Sequence, residues 1–317
     1  MTIRPPVRVT VCIATYNRCE LLKNAINSVL AQSEQNFQLI IVNDNSTDQT
    51  DSIIDHFAKK DLRIKCITHE TNNGLPSARN SAINIASGHY FSFLDDDDIW
   101  HKDFLREMIL LANTCNEDSC FISGFYTAKN LAVIPYFDSM PLKEAIRYGY
   151  TPPVASQFYV TNTLKKIGGY SEEISTGVDH DLWLKLSKTD IVLVPLKMAL
   201  TYPDSSVHNE RMTTNYSKRL NGILKSLEYW RPALVENFGE KFFFHFENNY
   251  RAYLDFKFLV QFVGRRQPLR AAKILIFSSN KKWILKKILN KIIKTFWTNA
   301  KQNEFIELAP QFDKFRE

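Results

Sequence analysis

Tyr90-Phe91-Ser92-Phe93-Leu94-Asp95-Asp96-Asp97-Asp98-Ile99-Trp100 is the stretch whose reading decides the fold. An aromatic-rich apolar run of strand length passes without a break into four carboxylates. Adjacent carboxylates repel one another, and a folded chain tolerates them at a strand end mainly where a divalent cation or a set of donors neutralises them. An acidic run taken alone is as easily a solvated loop. Its place at the carboxyl end of a strand, where open α/β sheets bind ligands, points instead to a metal-assisted site.

Upstream of this stretch, short β-branched runs alternate with helix-period stretches in the manner of repeated βα units. The pattern predicts strands over 7–13, 37–42, 63–68 and 90–94, and helices near 19–31, 47–60 and 76–86. The second helix has Ser46 or Thr47 as its expected cap, ahead of Asp48-Gln49. Right-handed crossovers make the sheet parallel. Cys12 and Cys66 fall inside strands and read as core. Polar residues gather at the strand ends: Thr15-Tyr16-Asn17-Arg18, Asn43 to Asp48, and Asn73-Gly74-Leu75-Pro76-Ser77-Ala78-Arg79-Asn80. An aromatic ring for a base, an aspartate to accept from a base N–H, an arginine and a carboxylate cluster together describe a nucleotide-diphosphate pocket. Neither G-x-G-x-x-G nor G-x-x-x-x-G-K-[ST] occurs, so a dinucleotide-binding dehydrogenase and a P-loop NTPase are disfavoured.

These residues resemble the family 2 glycosyltransferases of the GT-A fold. The matching stretches are Thr10 to Arg18, Ile40 to Asp48, Asn73 to Asn80 and Phe93 to Trp100, in the family's order and approximate spacing. Gly168-Gly169-Tyr170-Ser171-Glu172 and Asp179 to Leu186 resemble the acceptor-side signature, and Tyr202 with His208 resembles the closing segment. The resemblance implies a Rossmann-like, mainly parallel α/β sheet and an inverting transfer from a nucleotide-sugar donor, with UDP-hexose expected. It implies that Thr15, Tyr16 and Asn17 line the base and ribose end, that Asp44 binds the base edge and that Arg79 lies near the base or diphosphate. In the acidic run Asp95 and Asp96 would serve the nucleotide, Asp96 facing the ribose, and Asp97 would ligate the metal. The acceptor would be a glycan or a polyprenyl-diphosphate-linked sugar, in the assembly of a surface polysaccharide such as O-antigen.

The metal has a chemical purpose. Charge builds on the departing diphosphate, and Mn²⁺ or Mg²⁺ neutralises it as a Lewis acid through one or two carboxylates. His208 could add a nitrogen ligand, which Mn²⁺ accepts more readily than Mg²⁺. A base must take the acceptor's hydroxyl proton, and Asp179 is the candidate, with Asp181 competing unless it caps the following helix. Family members usually carry Glu-Asp here, whereas this chain has Val178-Asp179. A nucleotide-sugar-binding protein with a degenerate transferase domain is the alternative, opposed by intact Asp44, Asp97 and Asp179. A nucleotidyltransferase is disfavoured because no basic phosphate-binding loop follows the first strand.

The 317 residues divide by charge. Residues 1–210 carry 19 Lys+Arg against 25 Asp+Glu, a net −6, and residues 211–317 carry 21 against 9, a net +12. The division predicts a catalytic domain over 1–210 and a basic helical region over 211–317, with the Phe242-Phe243-Phe244-His245-Phe246 stretch and the segment from Tyr250 to Phe262 as packed helices. Farther on, Ile284, Leu285, Ile288, Leu289, Ile292, Ile293 and Phe296 fall on one half of a helix, and Lys286, Lys287, Lys291 and Lys294 on the other. Such a helix suits an anionic membrane surface, or packs on its own protein. It carries no nucleic-acid-binding signature. The first six residues lead into a strand without an apolar leader, no apolar run reaches membrane-spanning length, and five cysteines lack metal-site spacing. A cytoplasmic protein, peripheral on the inner face of the membrane, is the expectation.

Overall fold

The computed structural model describes residues 7–115, 119–127, 130–203 and 216–264. The chain divides into two compact units, Met1–Glu210 and Arg211–Glu317. The first opens with β1 (Val9–Thr15), α1 (Cys19–Leu30), β2 (Phe37–Asn43), α2 (Thr50–Ala58), β3 (Ile64–Thr68), α3 (Leu75–Ile85) and β4 (Tyr90–Phe93). These strands hydrogen bond in the order β3-β2-β1-β4 and are all parallel. β1 and β2 read as nearly continuous apolar runs because both their faces are covered. Two of their polar members meet across the pair: Thr10 Oγ1 donates to Gln38 Oε1 at 3.1 Å. A Cβ on Gly88 would lie 2.4 Å from the Thr10 backbone nitrogen, so glycine alone lets the turn before β4 lie against β1.

Two expectations need correction. Cys12 is buried in β1, but Cys66 is exposed, because β3 is the edge strand and only Ile64 of its five residues is fully covered. Neither Ser46 nor Thr47 caps α2, which begins at Thr50 with the Asp48 carboxylate accepting the Thr50 N–H at 3.0 Å. Asn17 has already taken the other two: its N–H donates to Ser46 Oγ at 2.9 Å, and its Oδ1 accepts the Thr47 N–H at 2.7 Å.

Past β4 come β5 (Asp98–Trp100), α4 (Phe104–Ala112), β6 (Ser119–Tyr126), β7 (Ala132–Val133), β8 (Met140–Pro141), α5 (Leu142–Arg147), β9 (Gln157–Val160), α6 (Thr161–Lys166), α7 (Val178–Leu186) and β10 (Val192–Pro203). Antiparallel β9 joins β4 to β6, and β10 runs parallel to β6, which extends the order to β3-β2-β1-β4-β9-β6-β10-β5. The last aspartate of the acidic run therefore opens a strand. In the antiparallel pair, Asp98 stands opposite Pro203 and Ile99 opposite Tyr202. One face of the sheet is closed by Leu22, Ala25, Ile26 and Val29 of α1 and by Phe104, Leu105, Met108 and Ile109 of α4, which form one buried cluster with Val11, Ile13, Leu39, Phe121 and Val194 of the strands. Each of these side chains other than Ala25 contributes about 1.5–3 kcal/mol when fully buried.

The second unit begins with α8 (Tyr216–Phe238) and α9 (Glu240–Gly264), separated by Gly239 at φ +86°, a left-handed position that ends a helix. On α9, Phe242, Phe246 and Tyr250 form a row of ring contacts with centroids 6.0 and 5.8 Å apart, the spacing that four-residue neighbours on a helix allow, and Phe238 at the end of α8 extends the row across the turn, 4.6 Å from Phe242. The apolar stripe from Ile284 to Phe296 and its four lysines lie outside the described residues. Among those described, no helix is long and apolar enough to cross a membrane.

Candidate active site

The loops after β1 and β2 are stitched together by their own polar side chains. Asn17 and Asn45 adopt φ values of 54° and 63°, a left-handed conformation that asparagine tolerates better than most residues. Asn17 is engaged with Ser46 and Thr47, as described above, and Tyr16 beside it is exposed. Asp44 lies beneath this bend and is buried. Its Oδ1 accepts the Asn73 N–H at 2.9 Å and lies 2.8 Å from His69 Nδ1, and its Oδ2 accepts the Gly74 N–H at 2.8 Å. His69 Nε2 reaches Ser81 Oγ at 2.9 Å. The ends of β2 and β3 and the start of α3 are thereby tied to one carboxylate, which turns the α3 N-terminus toward the strand ends.

The four aspartates are neutralised unequally. Asp96 is buried, accepting from Thr15 Oγ1 and Arg18 Nη1, each at 2.8 Å. Burial pushes its carboxyl up to about 6, against the opposing pull of Arg18 and Thr15. Arg18 also lies 3.5 Å from Asp97. Asp95 is 39% exposed and bonds Arg79 Nη2 through Oδ1 at 2.8 Å. One oxygen from each of Asp95, Asp97 and Asp98 lies within 4.8 Å of the others. Three carboxylate oxygens this close form the hard-oxygen set that Mn²⁺ or Mg²⁺ takes, so these residues fit such a cation. His208, the other expected ligand, lies outside the described residues.

Across the crevice, α7 begins after Gly177 at φ +76° and carries both base candidates in its first turn. Asp179 is 34% exposed, and its Oδ1 accepts from Arg79 Nη1 at 2.8 Å. Asp181 is 2% exposed, and its Oδ2 accepts the Ser171 N–H at 3.0 Å. Asp181 is therefore no cap: it lies inside the helix and braces the Gly168–Glu172 turn, whose Gly169 packs against Asn80 so closely that a Cβ would come within 2.4 Å of Asn80 Oδ1. Of the two, only Asp179 is open to an acceptor. Arg79 itself is buried, 2% exposed, between Asp95 and Asp179. The contact with base or diphosphate that the resemblance implies would require exchanging those bonds.

With the site assembled, the comparisons with known proteins agree on its class. The sequence profile described as Glycosyl transferase family 2 matches residues 10–151. Over 226 residues the chain is 31% identical to the UDP-Glc:alpha-D-GlcNAc-diphosphoundecaprenol beta-1,3-glucosyltransferase WfaP of Escherichia coli, covering 69% of this chain and 86% of that protein. The chain belongs to glycosyl transferase family 2. This transferase is also 27% identical over 251 residues to an uncharacterized glycosyltransferase of Rickettsia typhi, covering 74% of this chain and 77% of that one. Among solved structures, S. aureus TarS 1-349 in complex with UDP-GlcNAc superposes with a TM-score of 0.60 at 21% identity, covering 72% of this chain and 66% of that one. At that identity the likeness speaks for the fold, a GT-A arrangement with a mainly parallel sheet.

Several residues of the transferase site carried no role in the sequence reading. Arg18 stood in a quoted motif, but nothing local says that it reaches 78 residues onward to Asp96. His69 and Ser81 show no motif at all, and their link to Asp44 exists only after β2, β3 and α3 are packed. Tyr170 was visible as part of a turn; its ring, with that of Phe93, lies against the Arg79 guanidinium, whose carbon is 5.2 and 5.3 Å from the two centroids. The burial of Arg79 had a signal, since it is four residues from Ile83 and so on the same helical face as that buried side chain.

Proposed function

We propose that this transferase moves a hexose from a UDP-sugar to a glycan or a polyprenyl-diphosphate-linked acceptor in the synthesis of a bacterial surface polysaccharide, with inversion at the anomeric carbon. The observation that carries the proposal is the facing pair formed by the Asp95–Asp98 run at the end of β4 and the half-buried Asp179 on α7, with Asp95 and Asp179 each bonded to Arg79 at 2.8 Å. The donor and the lipid-linked acceptor are supported by the activity for which the Escherichia coli relative is named.

In this reaction an acceptor hydroxyl oxygen attacks the anomeric carbon, the bond from that carbon to the UDP oxygen breaks, and UDP leaves with the bonding pair. Asp179 takes the hydroxyl proton. Its Oδ2 has no protein partner among the described residues, while Oδ1 is held by Arg79, so one oxygen orients the carboxylate and the other is open to the proton. A single displacement inverts the configuration. In this reading Tyr16, exposed at the crevice, would stack on the base, Asp44 would accept from a base N–H in addition to its backbone donors, and Thr15 and Asp96 would face the ribose. Mn²⁺ or Mg²⁺ would be held by Asp97 with Asp95 and Asp98, and when bound supplies Lewis-acid neutralisation of the departing diphosphate. The basic, amphipathic 284–296 segment would hold the enzyme at an anionic membrane face, where a polyprenyl acceptor resides.

The test is a donor screen. Purified protein with Mn²⁺ is given UDP-, GDP- and dTDP-hexoses, with and without a GlcNAc-diphosphopolyprenol acceptor, and free nucleoside diphosphate is measured. Acceptor-stimulated UDP release is expected. UDP binding with no release under any condition would leave only a nucleotide-sugar-binding protein, and pyrophosphate formation from a nucleoside triphosphate and a sugar phosphate would replace the proposal by nucleotidyl transfer.

A further inference from the structure

We infer that Arg79 is a positioning residue which sets the base Asp179 at a fixed distance and orientation from the acidic run, and that it does not bind the donor nucleotide. The inference rests on the transferase reading above and assigns one residue within it. Arg79 projects from the buried face of α3, and its guanidinium is almost completely withdrawn from solvent. Its two terminal nitrogens diverge: Nη1 donates to Asp179 Oδ1 and Nη2 to Asp95 Oδ1, each at 2.8 Å, and Nη1 also lies 3.4 Å from the Tyr170 hydroxyl. Phe93 and Tyr170 pack against the guanidinium and leave it little freedom to swing.

A planar guanidinium presents donors at fixed angles, so two carboxylates bonded to different nitrogens of one fork are fixed relative to each other. The two it joins lie 16 and 100 residues after it, on β4's end and on α7. No hydrogen bond among the described residues links Asp95 directly to Asp179. A lysine at this position would keep the positive charge but is a single point of charge on a flexible stem, and it cannot hold both partners in one geometry. A ligand for diphosphate needs the opposite arrangement, with a cation reaching into the crevice and donors to spare. Instead, both carboxylates are about one-third exposed while the cation beneath them is hidden.

The experiment compares wild type, Arg79→Lys, Asp179→Asn and the double variant, measuring UDP affinity by calorimetry with Mn²⁺ present alongside kcat and KM for transfer. Misplacing a reacting group by an ångström costs on the order of 10²-fold, so Arg79→Lys is expected to lower kcat by about that factor while UDP affinity and donor KM stay near wild type. Residues that act as a unit are non-additive, so in the Asp179→Asn background the same substitution is expected to cost almost nothing. Weaker UDP binding with kcat unchanged would make Arg79 a donor ligand and overturn the inference, as would multiplying losses in the double variant. If Asp179→Asn is as active as wild type, the base assignment falls and this inference with it. Loss in Asp179→Asn together with additive Arg79→Lys sinks the inference alone. Wild-type protein provides a check that needs no variant to fold: phenylglyoxal labelling followed by peptide mapping is expected to leave Arg79 unmodified with or without UDP, and labelling that UDP blocks would overturn the inference.

Discussion

Asp179→Asn and Asp181→Asn separate chemistry from structure within one turn of helix. The first exchanges an open carboxylate for a nearly isosteric amide that cannot hold a proton at the reaction. Arg79 keeps Asp95 and the nearby Tyr170 hydroxyl, so the structural loss is the difference between a charged and a neutral hydrogen bond, about 1 kcal/mol. Removing general-base catalysis costs about 10² to 10⁴ in turnover, or about 3–5 kcal/mol of barrier. The chemical effect is the larger by a factor of about three or more. Asp181→Asn reverses the balance: a buried acceptor of the Ser171 N–H loses its charge, and the cost of about 1–2 kcal/mol falls on stability. For an m value near 2 kcal/mol/M, that is a drop of roughly 0.5–1 M in the urea midpoint. Initial rates of acceptor-dependent UDP release, UDP titrations and urea unfolding of both variants are the measurements. Lost turnover in Asp181→Asn, with Asp179→Asn left active, would refute the assignment.

Asp97→Ala is expected to abolish transfer without changing the unfolding midpoint, since it removes a partly exposed carboxylate and no core group, and wild-type activity should vanish in chelator and return with Mn²⁺ or Mg²⁺; full activity in chelator rules out metal dependence. Asp96 contributes a pH signature. Its carboxyl is raised from 3.8 to about 6 in the folded chain, so the fold favours the protonated form, and the stabilisation present below the unfolded value is lost as pH rises through the folded one. In chelator, the stability difference between wild type and Asp96→Asn should therefore change by on the order of 3 kcal/mol between about pH 4 and 6 and stay flat above; a flat difference across the whole range would show that Asp96 is ionised as usual. Replacing Lys286, Lys287, Lys291 and Lys294 with glutamine should release the protein from phosphatidylserine vesicles without unfolding it, since each lysine near such a surface contributes about 1 kcal/mol. Failure of the wild type to sediment with those vesicles at low salt removes the membrane role.

The sequence by itself determined the βα half of the sheet and the strand-end clusters. β2 and β4 are buried apolar runs bounded by polar residues, and helices of the right length stand between the strands, so period and punctuation were enough to read four parallel strands. It also placed Thr15, Asp44 and the four aspartates at strand ends, because the residue after a strand's last buried side chain must emerge at the sheet's rim. Cys66 was misjudged for the complementary reason: whether a strand is central or an edge depends on what packs beside it, and β3 itself does not encode its missing neighbour.

Only the tertiary structure decided which of these groups act on one another. Asp98 opens a strand because β10 returns to set Pro203 opposite it, Ser46 and Thr47 serve Asn17 instead of a helix, and Asp181 is taken up by the Ser171 amide while Asp179 stays open. Arg79 illustrates the division most sharply: helical spacing announced its buried face, but its two carboxylate partners come from segments brought beside it only when the sheet and α7 close over α3. Local pattern sets which way a side chain points along its own element, whereas the identity of its partner depends on contacts between segments far apart in sequence, which exist only once the chain has packed.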